Sequence, residues 1–258
     1  MDAQASNAEL ELLRAWGEAG FPAPLAVNAA DGSVLVYVPE GEFEMGSAEG
    51  KGSRDERPRH RVKLSGYWIG VHAVTNAQYL KFVQATGHRV PDNPGHWEAG
   101  LKDHPVTDVS WEDSAAYAKW AGCELASEAQ WEKACRGPKG LAYPWGNEWD
   151  EGKCRNDQNK GSDTTSVVYG YPKGASGYGT YNQSGNVWEW CADWYGEKYY
   201  ANSPKEDPGG PAGGSARVDR GGSWWNGDPD YFRAAYRNSY DPGRRYGLRG
   251  LRLVRAAS

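Results

Sequence analysis

The chain has 258 residues, enough for one large domain or two small ones, and no low-complexity linker divides it. Its net charge is −5 with both signs interspersed, which denies it the electrostatic footprint of a nucleic-acid binder, and no apolar run reaches membrane-spanning length. Nucleic-acid partners and membrane insertion are therefore not expected. With 13 Trp, 16 Tyr, 34 Gly and only 4 Phe, the composition is that of a turn-rich domain whose core leans on aromatic rings.

The N-terminus lacks the basic and apolar regions of a signal peptide. The default location is cytoplasmic, with phage or cell-surface display requiring a route the sequence does not encode. Ser6 to Gly20 predicts a short helix with Leu10, Leu13 and Trp16 on one stripe, an appendage over residues 1–32. Val34 to Pro39 and Gly41 to Gly46 predict strands, and Arg61 to Ile69 a further strand. Thr75 caps a helix from Asn76 to Ala85. Ser110 with Asp113, and Ser127 with Gln130, have capping-box spacing and start helices at Trp111 and Ser127.

From Gly137 to Ser215 little regular period remains. A loop this long needs something to hold it. Asn156, Asp157, Asp163 and Glu189 are hard oxygen ligands of the kind calcium takes, although the same residues also cap turns. The four cysteines, Cys123, Cys135, Cys154 and Cys191, lack CxxC spacing and read as small buried hydrophobes in the thiol form.

The C-terminal stretch interleaves two kinds of residue. Arg220 to Trp224 and Leu248 to Val254 look like framework, the latter a strand of alternating apolar and basic side chains. Between them, Trp225, Asn226, Asp228, Tyr231, Phe232, Tyr236, Ser239, Tyr240 and Tyr246 sit among Gly and Pro with no period to bury them. Amphipathic rings beside small polar groups suit a binding surface, though loop-rich folds also bury such rings. Arg233 and Arg237 look suited to tying this stretch to a sheet.

Taken in order, Gly41-Glu-Phe-Glu-Met-Gly-Ser47, Val74-Thr-Asn-Ala-Gln-Tyr79, Ala126-Ser-Glu-Ala-Gln-Trp-Glu132, Tyr143-Pro-Trp-Gly146, Ser184-Gly-Asn-Val-Trp-Glu-Trp190, Arg220-Gly-Gly-Ser-Trp224 and Gly250-Leu-Arg-Leu253 resemble the formylglycine-generating-enzyme (sulfatase-modifying factor) family. The resemblance covers residues 33–258. It implies an α+β, C-type-lectin-like fold with flanking helices, small antiparallel sheets and much irregular structure. It implies structural calcium held by Ser184, Gly185, Val187 and Glu189, with a second ion at Asn156 and Asp163. The family's enzymes oxidise a substrate cysteine with two cysteines that hold copper. The matching positions here are Asn226 and Tyr231, so neither copper nor that chemistry is expected.

Within the family, the sulfoxide synthases of thiohistidine biosynthesis fit poorly. The five histidines lack the spacing their iron site needs. The variable proteins of diversity-generating retroelements fit better. They keep the GGSW motif and the closing strand while residues between them are mutagenised, as residues 225–246 look to be. The resemblance thus implies a non-catalytic protein binding an unknown protein, glycan or small molecule. The alternatives are an oxidoreductase with altered chemistry and an invariant docking module like those beside bacterial kinases.

Overall fold

The computed structural model describes residues 23–92 and 99–257. The helix expected at Ser6 to Gly20 lies outside them. Among the described residues three small sheets and three α-helices form a mixed α+β fold, in agreement with the expected lectin-like class.

The first sheet takes β1 (Leu25–Val27), β2 (Val34–Val38), β5 (Tyr67–Gly70), β11 (Leu253–Ala256) and β6 (Glu124–Leu125), in the order β1-β2-β5-β11-β6. At its centre Ile69 faces Val36 on one side and Val254 on the other. All three are buried, because β-branched chains fill a pleated surface that is covered. A hairpin of β3 (Gly41–Met45) and β4 (His60–Leu64) forms a separate pair. The strand expected from Arg61 to Ile69 is in fact β4 and β5, broken at Ser65 and Gly66. A Cβ on Gly66 would lie 2.3 Å from the Tyr37 hydroxyl, so a larger residue at that corner would have to push the Tyr37 ring aside.

Helices α1 (Asn76–Thr86), α2 (Trp111–Trp120) and α3 (Glu128–Arg136) start where capping boxes put them. Thr75 with Gln78, Ser110 with Asp113, and Ser127 with Gln130 each exchange both capping bonds. The helices pack on two apolar clusters, one around Trp131, Tyr67 and Ile69, the other around Tyr79, Tyr117 and Trp190.

Residues 137–215 are less irregular than expected. Trp188–Trp194 forms β7, which lies in a four-stranded sheet ordered β10-β7-β8-β9 with β8 (Arg217–Arg220), β9 (Asn238–Tyr240) and β10 (Arg249–Leu251). The β7–β10 pair is parallel and the others antiparallel. The closing strand expected from Leu248 to Val254 is also two strands. They meet at Arg252 and belong to different sheets, so the C-terminal residues staple one sheet to the other.

The alternation of apolar and basic side chains there does not put every basic side chain in solvent. Arg252 is 0% exposed. Its guanidinium donates to both oxygens of Glu189, at 2.8 and 2.6 Å, and to the carbonyls of Gly70 and Tyr181. A buried guanidinium is tolerated only when paired and hydrogen-bonded in this way.

Candidate functional site

β8 delivers the chain into the segment through Gly221 and Gly222, both with positive φ. A Cβ on Gly222 would sit 2.8 Å from the Phe232 ring, so the turn needs a residue without one. Ser223 then closes a tight turn, its amide and its hydroxyl both donating to Asn226 Oδ1 at 2.9 Å. Asn226 therefore spends its side-chain oxygen holding the turn. Asp228 caps the turn at Pro229–Phe232 by accepting from the Asp230 amide.

Two arginines clamp the chain beyond this turn. Arg233 forks onto both oxygens of buried Glu56, at 2.8 Å each. Arg237 forks onto Glu128 of α3 at 2.7 and 2.8 Å, and Arg220 joins Glu128 to Glu132. These arginines tie the segment to a helix and a loop, not to a sheet as expected. The acids are found there because α3 turns its Glu128–Glu132 face inward. Burial would raise the Glu128 pKa, but Arg237 and Arg220 outweigh it and keep the carboxylate charged.

Between the clamps, rings gather on the surface. Trp225 is 60% exposed and Tyr246 42%. Tyr231 and Tyr236 meet edge to face at 5.0 Å, over the buried Trp188 of β7. Trp225 meets Trp224 at 5.6 Å, with Lys160 over its ring at 5.3 Å. Tyr240 and Tyr246 pair at 5.5 Å, with the Arg249 guanidinium 3.7 Å from the Tyr240 ring. The Trp224 indole donates to Gly247 and the Trp188 amide to Leu248, which links the groups into one face. Ser239 sits half-buried in β9 opposite Val218.

Phe232 does not belong to this surface. It is 0% exposed and stacks on Trp149 at 4.8 Å in a cluster with Tyr143 and Cys154. The cause is the 3-10 turn, which points it inward and its neighbour Tyr231 outward. Trp188, Trp224 and Lys160 were missed from sequence. Trp224 carried a signal, being one of two adjacent Trp after a Gly-Gly turn, and Trp188 lay in the Ser184–Trp190 motif; Lys160 carried none.

The residues expected to hold calcium have other partners. Glu189 is 1% exposed, and its carboxylate accepts from the Trp131 indole at 2.7 Å as well as from Arg252. A divalent ion there would have to displace these donors and sit beside a guanidinium. Ser184 Oγ donates to the Phe232 carbonyl, the Gly185 carbonyl accepts from the Val187 amide, and Val187 is buried. Asn156 spends its amide on the carbonyls of Glu151 and Cys154 and on the Gln158 amide. The Asp163 side chain is exposed, 3.9 Å from Arg155. Among the described residues no group of three or more His, Cys, Asp or Glu could hold a metal ion. This donor set does not fit calcium held through Glu189: Arg252 already supplies the positive charge.

All four cysteines are buried thiols without disulfides. Burial pushes Cys123 up to about 11 and Cys154 to about 12, and Cys135 and Cys191 are raised further. None is poised to form a thiolate. None of the described helices is long and apolar enough to cross a membrane.

Residues 21–257 match the sulfatase-modifying factor enzyme 1-like domain. The chain is 37% identical to a formylglycine-generating enzyme of Streptomyces coelicolor, over 86% of this chain and 89% of that one. In structure it is similar to PvdO of Pseudomonas aeruginosa, with TM-score 0.80 and 25% identity over 92% of this chain and 99% of that one. It is also similar to Treponema denticola variable protein 1, with TM-score 0.74 and 24% identity over the same shares, a likeness of fold.

Proposed function

The chain belongs to the sulfatase-modifying factor enzyme 1-like family, and from that premise we propose that it is a non-catalytic binding protein whose C-terminal ring surface meets the ligand. One observation carries this reading. The two positions that the family resemblance assigns to reactive sulfurs hold Asn226, which closes a turn, and Tyr231, which meets Tyr236 edge to face. The four thiols the chain does have are buried with raised pKa values. What the segment offers instead is half-exposed aromatic area on a clamped backbone. Rigid rings give contact area at low entropy cost, and each is worth about 1–3 kcal/mol when fully desolvated.

The ligand would meet Trp225, Tyr231, Tyr236, Tyr240 and Tyr246, with Asp228 and Ser239 adding polar contacts. A protein, glycan or small molecule could present a complementary face. The reading also includes diversification of residues 225–246 around the fixed clamps Arg233 and Arg237, whose guanidiniums are held by Glu56 and Glu128.

The test pairs two assays. Ligands selected from a displayed peptide library and a glycan array are measured against the parent and against the Tyr231→Ala/Tyr236→Ala/Tyr240→Ala triple variant. A loss of tenfold or more with the fold intact supports the surface; unchanged affinity removes it. The second reading is an oxidoreductase, favoured by the 37% identity to a formylglycine-generating enzyme. It is tested by incubating the protein with a cysteine-containing peptide, oxygen and copper, and capturing any aldehyde with a hydrazine. Turnover would establish catalysis and sink the binding-only proposal.

A further inference from the structure

A cleft of about 540 Å³ opens beyond the C-terminal end of α3, between the residues that follow the helix and the loop around Lys173. Its size is that of a small-molecule site. Its charge is one-sided. The whole chain carries 34 Asp and Glu against 29 Lys and Arg, yet Arg136, Lys139, Lys153 and Lys173 line this cleft with no Asp, Glu or His beside them. A recess lined by one sign of charge concentrates ions of the opposite sign.

Close backbone approaches hold the lysine-bearing segments together. A Cβ on Gly174 would collide with the Lys153 carbonyl, and one on Gly177 would lie 2.8 Å from Pro138 Cδ. Glycine at both places lets the loop over residues 172–177 close on Lys153 and on the chain just before Lys139.

The four cations differ in how far they are engaged. Arg136 spends its guanidinium on Glu132 and on the carbonyls of Leu141 and Gly46. Lys153 stands 3.6 Å from Asp150, a long pair. Lys139 and Lys173 are exposed, and among the described residues neither has a hydrogen-bond or ion-pair partner. Nor is Lys139 needed to cap α3, because the carbonyls of Lys133, Arg136 and Gly137 already accept from the amides of Gly137, Leu141 and Gly140. The aromatic wall is Trp145, half-buried beside Leu141 and Pro144. Tyr143 stacks on it at 5.4 Å, Trp149 meets it tilted at 6.0 Å, and its indole donates to the Glu148 carbonyl. No cation among the described residues stands over its ring.

We infer that this cleft binds a small aromatic phosphate, with Lys139 and Lys173 as its counter-charges, Lys153 as a third cation, and Trp145 as the wall for its ring. A phosphate group near neutrality carries a charge of about −1.5 to −2, which suits two unpaired ammonium groups acting as point charges. A planar ring gains contact with the indole and its apolar neighbours that a bare phosphate does not. The site shares no residue with the proposed ring surface and stands whether or not that surface binds.

The probe is phenyl phosphate, with methyl phosphate as the same charge without the ring and benzyl alcohol as the ring without the charge. Each is titrated into the full chain by calorimetry and saturation-transfer NMR. Saturable binding of phenyl phosphate is the expected result, with methyl phosphate about tenfold weaker or more and benzyl alcohol not saturating. The Lys139→Gln/Lys173→Gln variant alters only exposed side chains and is expected to weaken phenyl phosphate about tenfold or more. Should that variant fail to fold, raised salt on the parent protein tests the same attraction, since it screens charge and spares apolar contact. The Tyr231→Ala/Tyr236→Ala/Tyr240→Ala variant should bind phenyl phosphate as the parent does, which separates failure of the cleft from failure of the ring surface. A loss in that triple variant, equal binding of methyl phosphate or benzyl alcohol, a lysine variant or salt series without effect, or no saturable binding would each overturn the assignment.

Discussion

Replacing Arg237 by Met should cost far more stability than replacing any ring of the surface it supports. The Arg237 side chain is 0% exposed, and it forks onto a Glu128 carboxylate that is 3% exposed. It also donates to the Asp55 and Gly196 carbonyls and lies 4.2 Å from the Tyr200 ring centre. Met preserves much of the volume and removes the charge. Breaking a buried pair by deleting one partner costs about 3–5 kcal/mol, because the other charge is left uncompensated. Arg220 still reaches Glu128 at 2.8 Å, which places the expected loss near the lower bound, about 3 kcal/mol. For a chain of this length that is about 6–12 °C in melting temperature. Tyr231→Ala is the comparison. Its ring is half-exposed and makes edge contacts with Tyr236 and Trp188, worth about 1 kcal/mol in all. The two variants are measured by calorimetry and urea unfolding from pH 7 to pH 3. Glu128 has a lowered folded pKa, so its pairing stabilises above the unfolded value near 4.5 and is lost as pH falls through the lower folded one. The gap between Arg237→Met and parent should therefore hold at pH 5 and close only below about pH 4. An Arg237→Met loss no larger than that of Tyr231→Ala would refute the view that the segment is clamped by its arginines and merely decorated by its rings.

Asp193, the calcium-ligand candidates and the thiols give further expectations. Asp193 is raised to about 7 by burial and then by Glu128. A raised carboxyl stabilises below its unfolded pKa and loses that contribution as pH climbs through the folded one, so Asp193→Asn should gain on the parent by roughly 1–4 kcal/mol between pH 4 and pH 8. An advantage independent of pH would contradict the assignment. A calcium ion present at a hundred times its Kd would be worth about 2.7 kcal/mol, or about 5–10 °C here. Since Glu189 is filled by Arg252 and Trp131, chelation with EDTA should move the melting temperature by less than about 2 °C; a large drop restored by calcium would show otherwise. Ellman's reagent should find no reactive thiol in the native protein and all four after denaturation. Rapid labelling of Cys123, the least deeply buried at 7%, would show that the thiols are accessible after all.

The three helices were legible because each begins with a capping residue and its reciprocal partner at fixed spacing, a local signal that no distant contact has to complete. β7 was not. Trp188-Glu-Trp-Cys-Ala-Asp-Trp194 is buried along most of its length, so it lacks the alternation of a half-exposed strand. Its Glu189 looked like a metal ligand, when it is in fact paired with an arginine 63 residues further on. The same blindness left the closing strand undivided, since buried Arg252 marks the crossing between sheets. Among the rings, Trp225, Tyr231, Tyr236, Tyr240 and Tyr246 could be picked out by their Gly- and Pro-rich surroundings. Phe232 sits in the same surroundings, and only the 3-10 turn decides that it faces in.

The position of β11 has a consequence for how the molecule is made. It follows the ring-bearing segment along the chain, the last strand among the described residues, yet it lies inside the first sheet, between β5 and β6, with Val254 against Ile69. A ribosome must therefore finish the whole ring-bearing segment before the core can close. A nascent chain halted by a nonsense codon or shifted out of frame within that segment would leave β5 and β6 unpaired along one edge and be open to proteolysis. Substitutions that change only the outward side chains would pass unharmed. Completion of the first sheet thus depends on the whole segment before β11 having been translated in frame.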